Sequence, residues 1–315
     1  MANVSVKNLK KQDEKQLMAE AATLYYKQNR TQQETAELMG LSRQTVSKLL
    51  GDALKENIVQ ITIHDPRADR AELEQALCQK FGLQACVVCS VSGKGDALRR
   101  MATVAAAAEY LLPIMKQGGL KIALSWGRTV QALIEQLPQV SIEGNTLFPL
   151  FGATDNEHSY FSSNELARSM ADKIGAAVKY AWFPYLADSG EDSRLLRKLS
   201  YYQKLQALWS SADLAIVGIG NREILDVFGK SFGYSEGHSQ IIGDIATHFF
   251  TEAGELVELY RNTLCAGAED LKNCRQTVAV ACGSDKAAAI SGALRTGLLH
   301  TLITDEHTAR EILNL

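Results

Sequence analysis

Residues 31–57, TQQETAELMGLSRQTVSKLLGDALKEN, contain two short helical segments with a tight turn between them. Thr31 and Glu34 have the spacing of a capping box at the start of the first segment. Gly40 is placed to end that segment, since glycine adopts the positive φ of a helix C-terminus at little cost. Ser42 is a favourable N-cap for the second segment. The stretch therefore predicts helix, turn, helix.

The spacing of small and apolar residues in this stretch is that of a helix-turn-helix unit. Counted from Gln32 as the first position, Ala36 is the fifth, Gly40 the ninth and Val46 the fifteenth. Such a unit needs a small residue where the helices cross, a glycine in the turn and a β-branched residue that pins the second helix. All three are present. The alternative is an αα-hairpin whose polar residues are only solvated.

The predicted second helix offers a polar face that suits base edges and phosphates in a major groove. The residues expected to contact DNA are Thr31, Gln32, Ser42, Arg43, Gln44, Thr45, Ser47 and Lys48. Residues 1–62 carry nine Lys or Arg against seven Asp or Glu, a charge of +2. Since the whole chain has a charge of −3, the remainder carries −5. This asymmetry has the sign expected of a nucleic-acid-binding head on an acidic body.

Two further elements flank the helix-turn-helix. Residues 14–28 place Leu17, Ala21 and Tyr25 on one face of a helix, which predicts a core-facing stripe. Residues 58–63, IVQITI, alternate with a period of two and predict a strand after the last helix of the head.

Composition sets the remaining limits. The chain has 315 residues, 46% of them hydrophobic and 22% charged, which is a globular composition. Its length predicts two domains, or one large domain with a small appendage. The polar, proline-containing stretch 64–70 predicts a hinge, with a DNA-binding domain over residues 1–64 and an effector domain over residues 65–315. Apolar runs are too short for a membrane span, and residues 1–15 lack a signal-peptide pattern. We therefore expect a cytoplasmic protein with no membrane partner and with six reduced cysteines.

The second domain is predicted to be an α/β fold. Apolar runs typical of buried strands lie at 85–91, 121–127, 145–152, 179–185, 214–220, 277–283 and 301–305. Helical patterns between them include 96–115, 163–176 and 285–297. This alternation predicts a mostly parallel sheet covered by helices on both faces.

Ligands of such sheets bind beyond the carboxyl ends of the strands, where glycine-rich turns lead into helices. Candidate turns are SWGRT at 125–129, FGAT at 151–154, GIGN at 218–221 and CGSDK at 282–286. The last turn brings backbone N–H groups, Ser284 and Lys286 to one helix N-terminus, which is either an anion site or an ordinary cap. Asp244 lies among apolar residues, where it either caps a helix or faces a polar ligand.

Two other motifs carry no function in this interpretation. The VGIG sequence at 217–220 lacks the third glycine of a dinucleotide turn, because Glu223 occupies that place. Cys86 and Cys89 have CxxC spacing within an apolar strand and are expected to be core cysteines. No metal site and no cofactor are predicted.

Several blocks, in one order along nearly the whole chain, resemble the SorC family of bacterial sugar-responsive transcription regulators. They are LYYKQNRTQQETAELMGLSRQTVSKLLGDALKENIVQITI at 24–63, SWGRTV at 125–130, ADLAIVGIG at 212–220, GDIATHFFTEAGEL at 243–256, GSDKAAAISGAL at 283–294 and LITDEHTAREIL at 302–313. The resemblance implies a winged DNA-binding head and an effector domain similar to sugar-phosphate isomerases. It also implies a dimer or tetramer that binds double-stranded operator DNA and responds to a phosphorylated sugar or polyol.

The resemblance also implies an effector site. It gives Asp244 hydrogen bonds to sugar hydroxyls and places Lys286 near the effector phosphate. The expected effector-binding residues are Ser125, Gly127, Arg128, Thr129, Gly152, Asp244, Ser284 and Lys286. One departure is Phe151, which stands where most members have glycine and is expected to crowd a phosphate cradle.

Two classes of function fit these observations. The first is an effector-controlled, non-enzymatic DNA-binding regulator. The second is a sugar-phosphate isomerase or deaminase with an accessory head, because fold does not settle function. Turnover needs a positioned acid/base pair. Asp244 is the one carboxylate that the sequence places at the expected pocket, whereas nothing in the sequence fixes Glu165 or Asp155 there.

Overall fold

In a computed structural model of the chain, the described residues are 14–61, 66–91, 95–154, 162–223, 240–259 and 261–315. By backbone contacts the chain divides into two compact units, Met1–Asp65 and Pro66–Leu315. Among the described residues, no helix is long and apolar enough to cross a membrane.

Residues 14–61, the part of the first unit that the structure describes, form three helices. These are α1 (14–27, with a π-helical last turn at Thr23–Lys27), α2 (Gln32–Met39) and α3 (Arg43–Lys55). Ala21, Ala36 and Val46 are buried at their centre, as the spacing predicted. The predicted stripe of α1 is wrong at one position, because Leu17 is 40% exposed and Ala22 is buried instead.

The predicted caps of α2 and α3 are confirmed. Thr31 Oγ1 accepts the N–H of Glu34 at 3.2 Å, and the Glu34 carboxylate accepts the N–H of Thr31 at 2.8 Å. Gly40 ends α2 with φ at +66°, in the left-handed region. The Ser42 hydroxyl accepts the N–H of Thr45 at 3.1 Å at the start of α3. A tight turn therefore joins the two helices at a fixed geometry.

The strand predicted at 58–63 is wrong for residues 58–61, which form no strand. The N–H groups of Ile58 and Val59 both donate to the Ala53 carbonyl, at 2.9 and 3.1 Å, so the chain turns back on the end of α3. Val59 packs on the core of the head. Ile61 is 57% exposed, so the alternation forms neither a strand nor a continuous packing face, and residues 62 and 63 lie outside the described residues.

The second unit is an α/β domain. Its helices within the described residues are α4 (Pro66–Phe81), α5 (Asp96–Met115), α6 (Arg128–Gln136), α7 (Ser163–Ile174), α8 (Gly190–Lys198), α9 (Ser200–Trp209), α10 (Ala268–Asn273), α11 (Ala287–Arg295) and α12 (Glu306–Asn314). Its strands there are β1 (Ala85–Cys89), β2 (Lys121–Leu124), β3 (Thr146–Pro149), β4 (Ala177–Val178), β5 (Leu214–Val217), β6 (Ile219–Asn221), β7 (Ile241–Ile245), β8 (His248–Thr251), β9 (Leu256–Val257), β10 (Gln276–Val280) and β11 (Thr301–Asp305).

Seven strands form one sheet in the order β1-β11-β10-β5-β2-β3-β4, with every pairing parallel. The predicted parallel α/β fold is confirmed. Its central strands β5 and β10 are mostly apolar and almost wholly buried, because helices cover both faces. Their carboxyl ends meet at one edge, where β2, β5 and β10 each end in a glycine-containing turn.

A second, antiparallel sheet, β6-β7-β8-β9, was not predicted. The run 214–220 was interpreted as one strand, but Gly218 divides it into β5 of the large sheet and β6 of the small one. The run 179–185 is not a strand either. Its Phe183 and Tyr185 bond to Ala153 at 2.8 and 2.7 Å outside the large sheet, so this apolar segment covers the core rather than extending the ladder.

Candidate effector cleft and DNA-binding surface

A cleft of about 400 Å³ opens at the carboxyl-terminal edge of the parallel sheet. Its walls come from the turns after β2, β5 and β10, from the first turns of α5 and from the β7–β8 hairpin. Six of the eight predicted effector residues line it: Ser125, Gly127, Arg128, Thr129, Asp244 and Lys286. Gly152 and Ser284 are not among its lining residues. The fold thus gathers residues from distant parts of the chain at one site.

The turn after β2 depends on Ser125 and Gly127. The buried Ser125 hydroxyl accepts the N–H of Gly218 at 3.2 Å, which ties the end of β2 to the end of β5. Gly127 has φ at +121°, a conformation that L side chains rarely adopt. It directs the chain into α6, whose first residues, Arg128 and Thr129, form part of the cleft wall.

Lys286 is the last residue of a 3₁₀ turn, Ser284–Lys286, that leads into α11. Gly283 opens this turn with φ at +119°, and its N–H donates to Thr308 Oγ1 at 2.9 Å. The Lys286 ammonium donates to the Ile219 carbonyl at 3.0 Å. Burial lowers the pKa of this ammonium, because desolvation disfavours its charged form. An anion in the cleft would restore a partner for that charge.

Ser284 opens the turn that carries Lys286, and Arg99 binds its side chain. Arg99 Nη1 donates to Ser284 Oγ at 2.8 Å and lies 3.6 Å from the Asp96 carboxylate. The Arg99 side chain is 9% exposed, so its charge is desolvated and needs these partners. Arg99 was not predicted from the sequence, although a charged side chain inside an alanine-rich helix is a signal for a buried polar contact.

Asp244 is buried on β7 and faces the cleft. Its Oδ2 accepts the N–H of Thr247 at 3.0 Å, so it caps the β7–β8 turn and not a helix. Burial raises the pKa of this carboxyl to about 6, although the Thr247 N–H and the Lys286 charge both act to lower it. A carboxyl with this pKa changes its charge close to neutral pH and can accept or donate a hydrogen bond to a ligand hydroxyl.

Gly152 and Phe151 lie in the core rather than in the cleft. The Gly152 N–H donates to the Leu264 carbonyl at 2.9 Å, and a Cβ there would lie 2.4 Å from the Pro184 carbonyl oxygen. The Phe151 ring is fully buried, with its centroid 4.0 Å from that of Trp126. Phe151 therefore does not occupy the cleft, and the crowding expected from it is not observed.

Other charged and polar residues complete the cleft and were not predicted. These are Asp96, Arg100, Asn221, Glu223 and Asp285. Asn221, the last residue of β6, donates through Nδ2 to the Asp285 carboxylate in the turn after β10, at 3.5 Å. With Arg128 and Lys286 on the same walls, the cleft combines cationic groups for an anion with carboxylates and amides for hydroxyls.

Other residues considered from the sequence are not among those that line the cleft. Cys86 and Cys89 are buried on β1, and burial raises the pKa of both thiols. Glu165, weighed as an enzymatic carboxylate, pairs with Arg168 at 2.6 Å on α7, and Asp155 lies outside the described residues. No cluster of three or more His, Cys, Asp or Glu side chains suited to a metal ion occurs in the part of the chain that the structure describes.

The start of α3 forms an exposed polar surface on the N-terminal unit. Exposed side chains there are those of Ser42, Arg43, Gln44, Thr45, Ser47 and Lys48. Thr31 is also exposed, at the start of α2, and Gln32 is partly buried. Ser42 and Thr45 share a hydroxyl contact of 2.8 Å and serve as the cap, whereas Arg43, Gln44 and Lys48 have no such structural task. This is the arrangement of a recognition helix.

Comparison with known proteins agrees with both surfaces. The profile of the Sugar-bind family, a sugar-binding domain, matches residues 65–314, and that of region 4 of sigma-70 matches residues 19–56.

The sorbitol operon regulator of Klebsiella pneumoniae is 30% identical over 311 residues, which cover 96% of this chain and 98% of the relative. The deoxyribonucleoside regulator of Bacillus subtilis is 30% identical over 314 residues, with the same coverage of both chains. The crystal structure of full-length SorC, the Klebsiella pneumoniae regulator, superposes with a TM-score of 0.73 and covers 96% of this chain and 99% of that one.

This chain belongs to the SorC family of sugar-responsive transcriptional regulators. It is a DNA-binding regulator with a helix-turn-helix head and a sugar-binding α/β domain. Both of these relatives are named as regulators, which favours an effector-controlled DNA-binding regulator over a sugar-phosphate enzyme. The family thus agrees with the two surfaces found from the residues themselves.

Proposed function

We propose that a small phosphorylated sugar or polyol binds in the cleft and controls the binding of the head to operator DNA. The observation that carries this proposal is the presence of Lys286 and Asp244 in one cleft of about 400 Å³. An ammonium at the start of a helix suits a phosphate, and a carboxylate suits sugar hydroxyls. Arg128 and Arg100, on the walls of the same cleft, strengthen the preference for an anionic ligand.

We propose further that Arg43, Gln44 and Lys48 contact DNA, together with the polar residues around them. The protein would act as a dimer or tetramer in the cytoplasm, where its operator DNA lies. Control requires that the effector bind the DNA-competent and released states with different affinity. The same coupling then acts in both directions, so bound operator changes the affinity for the effector.

No catalytic turnover is proposed. Acid/base chemistry on a sugar phosphate needs two groups with matched roles near the reacting carbons. Asp244 has a suitable pKa, but its Oδ2 is engaged by the Thr247 N–H as a structural cap. Steady conversion of a sugar phosphate by the purified protein would contradict this part of the proposal.

The test is a pair of calorimetric titrations with a panel of sugar and polyol phosphates, one onto the free protein and one onto the protein–operator complex. Lys286→Ala should weaken the binding of the active compound by roughly ten- to a hundredfold, because it removes a charge-assisted hydrogen bond. Lys116→Ala is the matched control, since Lys116 is exposed at the other end of α5. Equal effector affinity in Lys286→Ala and wild type would refute the phosphate site.

A further inference from the structure

A second cavity, of about 420 Å³, lies beside the effector cleft. Its walls are α9, the segment 263–267 and the strands β8 and β9. The β7–β8 turn separates the two spaces, because Ala246 lines the cleft and Thr247 lines the second cavity. The second cavity matches the cleft in volume and falls in the size range of small-molecule sites.

The Thr247 hydroxyl is an unsatisfied group at this cavity. Thr247 is 7% exposed, and its Oγ1 makes no hydrogen bond to any described residue. The Cys265 thiol lies beside it, but sulfur is a weak partner. Since a buried hydroxyl without a partner lowers stability, its retention at a cavity wall indicates a ligand that bonds to it.

Two more groups at the cavity have unused hydrogen-bonding capacity. Tyr202 Oη accepts a hydrogen bond from Arg197 at 2.9 Å, and burial raises the pKa of the phenol, so its own hydrogen remains available. His248 Nε2 lies 3.0 Å from the Ala266 carbonyl oxygen. Because a carbonyl only accepts, Nε2 carries the proton and donates it. Burial lowers the pKa of this imidazole, which leaves a neutral ring with Nδ1 as an acceptor.

The charged groups at the cavity are, by contrast, already engaged. Arg197 donates to Tyr202 and, at 2.6 Å, to the Thr263 carbonyl. Asp270 accepts from Ser210 at 2.7 Å and from the N–H of Gly267 at 2.8 Å. Glu258 adds a further carboxylate to the wall. A phosphate would meet these carboxylates without a free cation, so the cavity favours an uncharged ligand.

We propose that this second cavity binds a small neutral sugar or polyol, which carries no phosphate. Its hydroxyl groups would donate to His248 Nδ1, accept from Tyr202 and exchange a hydrogen bond with Thr247. The chain would then hold two ligands of related chemistry at once, an anionic one in the cleft and a neutral one in the cavity.

The tryptophans allow the two sites to be observed separately. Trp126 lines the cleft, Trp209 lines the second cavity and Trp182 is exposed. The full-length double variant Trp126→Phe/Trp182→Phe keeps Trp209 as its reporter, and Trp182→Phe/Trp209→Phe keeps Trp126. Each is titrated with unphosphorylated hexoses and hexitols and with their 6-phosphates. A neutral compound should change the emission of Trp209 in a saturable manner, and a saturating phosphate ester should not displace it.

Substitution at Thr247 gives the decisive comparison. Thr247→Val keeps the shape of the side chain and removes the hydroxyl, so it should weaken binding of the neutral compound at least tenfold. Tyr202→Phe should act in the same direction. Ser291→Ala is the matched control, because Ser291 is another buried hydroxyl without a partner among the described residues and lines neither site.

Three results would overturn the proposal: no saturable change at Trp209, displacement of the neutral compound by the phosphate ester, or equal affinity in Thr247→Val and Ser291→Ala. A wrong assignment of the effector site would give a different result: the Lys286→Ala variant would bind the phosphate ester with the affinity of wild type.

Discussion

Asp244 Oδ2 accepts the backbone N–H of Thr247 at 3.0 Å across a two-residue turn in which neither central residue is glycine. Ala246 has φ at +46° and Thr247 at +73°, so both occupy the left-handed region. Hairpin turns of this kind normally use Asn or Gly, because other side chains are strained there. The carboxylate thus offsets the strain of a turn that forms part of both cavities, and a ligand that bonds to Asp244 acts directly on the turn.

The raised pKa of Asp244 predicts a pH-dependent stability. Its folded-state pKa is about 6 against an ordinary value of 3.8, so the folded protein binds the proton more tightly than the unfolded chain. The stability contributed by the protonated form is fully present below about pH 3.8 and is lost as the pH rises through 6. We expect Asp244→Asn to gain stability relative to wild type by about 1–3 kcal/mol between pH 4 and pH 8.

Urea denaturation of both proteins across this pH range measures that difference. The asparagine side chain does not titrate but keeps an oxygen that can accept the Thr247 N–H. Asp285→Asn is a suitable control, because Asp285 is exposed at the same cleft. A difference between wild type and Asp244→Asn that stays constant over the range would contradict the assignment.

Variants of two neighbouring arginines on α5 should distinguish a residue that positions the Ser284 turn from a residue that binds the ligand. Arg99→Met removes the bond that holds Ser284 and leaves Asp96 unpaired, so it should lower stability by roughly 1.5–3 kcal/mol and weaken effector binding as well. Arg100→Ala should weaken effector binding with little effect on stability, because Arg100 lines the cleft. Thermal unfolding and calorimetric titration of both variants check this, and equal stability of the two would show that Arg99 does not hold the turn.

The helix-turn-helix could be predicted because its determinants are local. Thr31, Glu34, Gly40 and Ser42 lie within twelve residues, and each cap forms between residues three apart. The parallel sheet could also be predicted from the sequence, since strands buried on both faces are nearly continuous apolar runs. The turns at 125–129, 218–221 and 282–286 followed from the rule that such sheets bind ligands beyond the carboxyl ends of their strands, whereas Asp244 came from the family resemblance.

The missed features depend on contacts between distant parts of the chain. Arg99 and Ser284 are 185 residues apart, and no local pattern connects them. The β7–β8 turn carries none of the residues that mark hairpins, because its positive φ angles are supported by Asp244 instead. Residues 58–61 show the opposite error, since their alternation predicted a strand but only Val59 packs on the helical core and Ile61 is exposed.

Operator binding should require at least two copies of the head. Residues 1–62 carry a charge of only +2, and a single recognition helix makes few phosphate contacts. We expect an oligomer by light scattering and an operator with two half-sites related by a two-fold axis. Increasing the distance between half-sites by half a helical turn of DNA should abolish tight binding, because the second head then faces the wrong side of the duplex. Tight binding by a monomer to one half-site would contradict this expectation.

Two residues of α3 should affect DNA binding in different ways. Gln44 and Lys48 are both exposed on the recognition helix, one near its start and one a turn later. A glutamine can form a bidentate contact with a base, worth about 1–3 kcal/mol of discrimination, so Gln44→Ala should bind operator more weakly while its affinity for unrelated DNA stays nearly the same. A lysine that contacts phosphate carries no sequence information, so Lys48→Ala should weaken binding to all DNA and reduce the slope of log affinity against log salt by about 1.

Fluorescence anisotropy with operator and scrambled DNA at several salt concentrations separates the two effects. Lys55→Ala, at the exposed end of α3, provides the control for a simple loss of charge. If Gln44→Ala and Lys48→Ala both kept wild-type affinity for the operator, α3 would not be the recognition helix.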